Sequence, residues 1–145
     1  MENLSRRLVY ENLADASLKL YLVLRKRLEA AAKEIDLSYQ QAQALTFLKD
    51  KSSVSMTALA NEFGLTRAAM TGLIGRLVEK KMAAREYDPK DRRTVLIRIS
   101  KNGKAKSDSY RKKLTAFFKK IACDLGSEER KIFIELSKKL KILDL

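Results

Sequence analysis

The sequence predicts a mainly α chain with one small β-hairpin, an α+β fold, and three observations carry that prediction. Gly64 separates two helix-type runs, each opened by a residue that can cap it, Ser55 and Thr66. Thr94 to Ile99 is rich in β-branched residues and follows a second strand-like run, Ala84 to Tyr87, with Asp88-Pro89 starting the turn between them. The stretches before residue 36 and after residue 100 hold no proline and favour helix. A chain of 145 residues has room for one core. The expected organisation is therefore a single domain, 1–145, with a centre at 36–100 and helical flanks at 1–35 and 101–145.

The elements follow in order. Glu2 to about Glu34 reads as one helix, with Leu4 and Leu8 spaced i,i+4 and Leu20, Leu24 and Leu28 continuing such a row. From Leu20 to Leu24 the helix is apolar all round, so it needs cover on more than one side and part of it is expected to meet a second subunit. Ser38-Tyr39-Gln40-Gln41 has the capping-box spacing and opens a helix to about Asp50, with Ala42, Leu45 and Leu48 inward. Lys51-Ser52-Ser53 is a polar connector, and Val54 is placed to add a short strand beside the hairpin.

Ser55 caps a helix through Leu59, Ala60 and Phe63, and Gly64 supplies a turn at positive φ. Thr66 caps the next helix, to about Lys80. Met70, Leu73, Ile74 and Leu77 share one of its faces. Ala68, Thr71, Gly72, Gly75 and Arg76 share the opposite face, which is thin enough to press against another surface. The hairpin tip is Lys90-Asp91-Arg92-Arg93. Ser100 caps a long helix from Lys101 to near Asp124, with Tyr110, Leu114, Phe117, Phe118 and Ile121 on one face. Leu125-Gly126 ends it. Ser127 is expected to cap the last helix, in which Phe133, Leu136, Leu140 and Leu143 form an a/d-type seam among Lys138, Lys139 and Lys141.

Two helices joined by a tight turn and followed by a hairpin make a winged helix-turn-helix. One face of the second helix is buried, and the other is free for a major groove. An arginine tip suits the narrow, electronegative minor groove. Asp91 is expected to accept hydrogen bonds from an arginine or a tip amide and hold the arginines in place. Thr66, Thr71 and Arg76 carry groups matched to base edges, and Arg67, Ala68 and Gly72 lie beside them. Ser55, Thr57, Lys90, Arg92, Arg93 and Arg98 are candidates for phosphate or groove contact. Solvated surface charge is the competing reading for Arg67 and Arg76, as an ordinary turn is for Arg92 and Arg93.

The run from Leu59 to Leu77 resembles the helix-turn-helix of the MarR family, winged-helix transcription regulators of bacteria and archaea. Asp91 to Ser100 matches that family's D-x-R-x5-[LI]-[TS] wing pattern, and Lys101-Asn102-Gly103-Lys104 resembles its approach to the next helix, without the proline often found there. The specific motifs cover about a third of the chain. The resemblance implies a homodimer held by interlocking N- and C-terminal helices. It also implies a sequence-specific regulator of double-stranded DNA acting on a pseudo-palindromic operator, with repression expected. It further implies a pocket between winged domain and dimer helices for a small aromatic or phenolic ligand that releases the protein. Tyr21, Tyr39, Tyr110, Phe117 and Phe118 are the aromatics in question, and aromatics at helical spacing are more often plain core.

Composition bounds the alternatives. The balance of 31 basic and 18 acidic residues, a net +13, favours a polyanionic partner, nucleic acid before membrane. No apolar run reaches 18 residues, so no membrane span is expected. No signal peptide is read, and the cytoplasm is the expected compartment. With 0 histidines the usual general base and the commonest zinc ligand are missing, so no enzyme, metal or cofactor is expected. Cys123, between Ile121, Ala122 and Leu125 near a helix C-terminus, is expected to be a buried structural thiol. Two alternatives stay open: a redox-sensing regulator acting through Cys123, and a winged-helix module that binds protein rather than DNA.

Overall fold

The protein is described by a computed structural model covering residues 2–140, with side chains from 7 to 139. The order is α1 (Glu2–Lys33), α2 (Tyr39–Lys49), β1 (Val54–Ser55), α3 (Met56–Glu62), α4 (Arg67–Glu79), β2 (Ala83–Tyr87), β3 (Val95–Ile99), α5 (Lys101–Asp124) and α6 (Ser127–Leu140). The strands form one antiparallel sheet in the order β1-β3-β2. Val54 pairs with Ile97, so the short strand expected beside the hairpin is present. The fold is the mainly α, winged-helix one the sequence predicts. The chain packs as two units divided after Arg111. Among the described residues no helix is long and apolar enough to cross a membrane.

Side-chain caps start the helices where the sequence places them. The Ser38 hydroxyl accepts from the Gln41 amide, and the Gln41 side chain accepts from the Ser38 amide, completing the capping box. Ser55 accepts from the Ala58 amide, Thr66 from Ala69 and Ser100 from Gly103. The start of α6 differs. Gly126, not Ser127, holds the cap position: its carbonyl accepts from the Arg130 amide, and its own amide donates to the Glu129 carboxylate. Glu129 reaches back as the acidic half of a capping box does, so no Ser side chain is needed.

Three helices end alike. Beyond α3 the amide of Leu65 donates to the Ala60 carbonyl with Gly64 at φ 59°. Beyond α4 Met82 donates to Leu77 with Lys81 at φ 55°, and beyond α1 Leu37 donates to Ala32 with Asp36 at φ 62°. In each the left-handed residue reverses the chain and satisfies the last carbonyls. Gly103 serves another purpose. A Cβ there would lie 2.1 Å from the Met82 carbonyl oxygen, so only glycine lets α5 start against the end of α4.

The core of the first unit draws on α1 to α4, on β2 and β3 and on the start of α5. Leu45, Leu48, Leu59, Met70, Leu73, Ile74, Leu77 and Ile97 are fully buried. The expected inward positions Ala42, Leu45 and Leu48 of α2 are buried. The end of α1 joins this core through Ala31, Ala32 and Ile35, and α5 through Tyr110, whose hydroxyl donates to the Leu28 carbonyl. Burial, and then the neighbouring Tyr39, pushes the Tyr110 phenol up to about 12.

Several expectations about the flanks need correction. Of the apolar face expected along α5, Tyr110 is buried, Leu114, Phe117 and Ile121 are half-buried and Phe118 is exposed. Tyr21 is exposed rather than core. Cys123 is exposed, because it lies about 200° around the helix from Ile121 at the helical period, away from the Ile121–Leu125 side. In α6, Phe133 is half-buried and Leu136 exposed. Leu143, Lys141 and the side chains of Leu4 and Leu140 lie outside the described residues.

Candidate nucleic-acid interface

Burial of Met70, Leu73, Ile74 and Leu77 fixes the rotation of α4. The helix therefore shows solvent Arg67, Ala68, Thr71, Gly72 and Arg76, as the sequence predicts. Nothing lies within 4 Å of where a Gly72 Cβ would be, so that side is open. Gly75 is different. It is half-buried, and an added Cβ would sit 3.4 Å from Nη2 of Arg85. Its missing side chain makes room for the hairpin's arginine rather than for an external surface.

The polar groups on this face are partly committed. The Thr66 hydroxyl accepts from the Ala69 amide at 3.2 Å, and the Thr71 hydroxyl donates to the Arg67 carbonyl at 2.7 Å. Thr71 therefore offers its methyl group and an acceptor lone pair, and its proton is used internally. Arg67 and Arg76 are exposed. At the start of α3, Thr57 is exposed while Ser55, half-buried, spends its hydroxyl on the cap.

The hairpin tip is built around Asp91. One carboxylate oxygen accepts from the Arg93 amide at 3.0 Å and from Arg93 Nε at 3.2 Å, and the other accepts from the Thr94 hydroxyl at 3.2 Å. These bonds, the Arg93 amide first and its side chain second, hold the Asp91 carboxyl below its ordinary range. Asp91 thus organises Arg93, whose side chain is otherwise 93% exposed. Arg92 and Lys90 are exposed on the same tip, and the Lys90 amide donates to the Asp88 carboxylate. Arg98 faces out from β3 and pairs with Glu86 at 3.2 Å, so its charge is partly neutralised within the sheet.

Arg85 is the residue that sequence reading missed. Cross-strand partners share a sheet face, and Arg85 stands opposite the buried Ile97. Its guanidinium donates from Nη2 to the Thr71 carbonyl at 3.0 Å. Its odd-numbered neighbours in the strand, Ala83 and Tyr87, alternate onto the same face, and that period was the available signal. Arg67, Thr71, Arg85, Tyr87, Met56, Val95 and Glu86 line a cleft of about 300 Å³ between α4 and the hairpin.

A thin helix face beside an arginine-tipped hairpin on a three-stranded sheet defines a winged helix-turn-helix protein. The model of the MarR family matches residues 35–94. Over 72% of its length the chain is 26% identical to the uncharacterized HTH-type transcriptional regulator YdgJ of Bacillus subtilis, of which it spans 64%. It is 27% identical to the HTH-type transcriptional repressor YetL of the same organism, over 88% of this chain and 81% of that one. The crystal structure of the transcriptional regulator BldR from Sulfolobus solfataricus superposes with a TM-score of 0.74 at 24% identity, covering 92% of this chain and 96% of that one. The winged centre of the chain is thus similar to the MarR family, and the curated relatives are named as HTH-type transcriptional regulators.

Proposed function

We propose that this chain is a sequence-specific, double-stranded-DNA-binding transcriptional regulator of the cytoplasm, working as a homodimer on a pseudo-palindromic operator. In this reading residues 36–100 are the DNA-binding centre, and 1–35 with 101–145 the dimerisation region. The observation that carries it is the pairing of two surfaces. The exposed face of α4 presents Thr66, Arg67, Ala68, Thr71, Gly72 and Arg76, and the adjoining tip presents Lys90, Arg92 and the Asp91-anchored Arg93. The helix enters the major groove and the tip takes the minor groove or its phosphates, with Ser55, Thr57 and Arg98 as flanking contacts. That the similar protein YetL is named a transcriptional repressor supports repression. Exposed Leu20, Leu22 and Val23 of α1, with Ile132 and Leu136 of α6, support the dimer. Release by a small aromatic or phenolic ligand rests on the family resemblance.

The test is selection of an operator from random duplexes, followed by footprinting and a salt titration. A two-fold dimer protects a pseudo-palindrome with half-site centres roughly 10 bp apart or a multiple of that. With 6–10 phosphate contacts, affinity falls by about 10³–10⁵ between 50 and 200 mM salt. A flat salt response, or no palindrome, favours the protein-binding module instead. One observation favours a second reading of the signal: Cys123 is exposed and so open to oxidants. Peroxide that weakens operator binding by the native chain but not by Cys123→Ser supports that reading, and equal binding rejects it.

A further inference from the structure

We propose that Arg85 is a positioning residue that locks the hairpin to α4, so that helix face and wing tip address one duplex together. The proposal rests on the DNA-binding reading above and adds a residue to it. The last fully buried hairpin residue is Ile97, directly opposite Arg85. Beyond this pair the hairpin leaves the core: Tyr87 is 70% exposed and its partner Val95 half-buried. From there the tip projects roughly 15 Å at the strand rise, so a tilt of about 10° moves it by about 2.5 Å. Hydrogen bonds to phosphate tolerate only about 0.5 Å of drift. A brace at the base of the hairpin is therefore worth more than its own energy.

Arg85 has the geometry of such a brace. Its Nη2 donates to the Thr71 carbonyl at 3.0 Å, and the guanidinium lies over the half-buried Gly75. Thr71 and Gly75 bound the turn of α4 that carries exposed Thr71 and Gly72 and runs directly into exposed Arg76. The bridge thus joins the hairpin to the part of α4 that carries the candidate base contacts. The neighbouring acid, Glu86, is bound to Arg98 rather than left to draw Arg85 away. A lysine keeps the charge but loses the planar fork that reaches across a helix backbone.

The experiment is fluorescence anisotropy on the selected operator with Arg85→Met and Arg85→Lys, each alone and with Arg93→Ala, alongside thermal melts. Positioning predicts that both single variants lose about tenfold in affinity, and that either loses less than about twofold once Arg93 is already absent, because the residues act as one unit. Their salt slopes should fall by about one, as that of Arg93→Ala does. Restoration by lysine, or losses that multiply independently, means that Arg85 acts as a charge on DNA and overturns the proposal. Wild-type affinity in both variants overturns it too, and so does failure of both to fold, since Arg85 would then hold the fold rather than the aim of the wing. Absence of duplex binding by the wild-type protein overturns the DNA reading itself, which keeps the two failures distinguishable.

Discussion

The winged centre and the helical flanks use the same apolar residues to opposite ends. Leu45, Leu59, Leu73 and Leu77 are at most 2% exposed, because α2, α3, α4 and the sheet each cover another's apolar face. On α1, Leu8, Leu13, Leu18 and Leu22 are 55–63% exposed, and on α6 Ile132, Ile134 and Leu136 are 52–54% exposed. A lone helix cannot bury its own side chains, whatever its hydrophobicity. The difference marks where self-sufficient folding stops and where, in the proposed dimer, assembly takes over. It also separates two kinds of sensitivity, since a fault in the centre is felt by one chain and a fault in the flanks by a pair.

Substitutions in the two regions test that separation. Leu77→Ala opens a cavity in a fully buried site and should cost about 2–5 kcal/mol in denaturant unfolding, at every protein concentration. Leu22→Asp and Leu136→Asp should instead shift light scattering from twice the chain mass to the chain mass, because the dimer would bury an unpaired charge. If either flank variant keeps the mass and the melting temperature, its helix is a solvated surface and the comparison loses half its meaning.

Smaller effects sharpen the picture of the centre. Asp91→Ala should leave the melting temperature in place yet weaken operator binding, because Arg93 loses its anchor. Bare electrostatics predicts tighter binding, so the sign decides. The Asp91 carboxyl is held below its ordinary 3.8, so the tip bonds are present above that pH and are lost only as pH falls through the lower folded value. An NMR titration placing the Asp91 midpoint at or above 3.8 contradicts the observed tip. Smallest is Lys81→Gly, which relieves a left-handed residue at the end of α4 and should stabilise by about 0.5–1 kcal/mol.

What the sequence disclosed follows the range of each interaction. Ser38, Ser55, Thr66 and Ser100 were legible as caps because cap and amide lie within a few residues of one another. Gly64 was legible as a left-handed residue, whereas Asp36 and Lys81, at the same place in the same motif, carry no such mark. The burial of the α4 face followed from its period, and so did its outward residues. The sheet face of Arg85 was legible from the strand period, but its partner was not, because Thr71 is brought to it only by the return of the hairpin across α4. The exposure of Cys123 was within reach of the helical wheel, and its apolar neighbours in sequence misled, since Ile121 and Leu125 lie on another side. Flank burial was beyond a single chain's sequence, because it depends on what lies opposite.

The central claim, that α4 reads bases while the wing supplies charge, is tested most directly by comparing Arg76→Ala and Arg93→Ala on the selected operator and on random duplex. Arg76→Ala should cost about 1–3 kcal/mol on the operator, less on random DNA, and relax preference at one base pair per half-site. Arg93→Ala should weaken both duplexes by similar factors and lower the salt slope by about one. Equal and negligible losses for both variants would contradict the account, leaving the exposed face of α4 and its arginine-tipped hairpin without a duplex to bind.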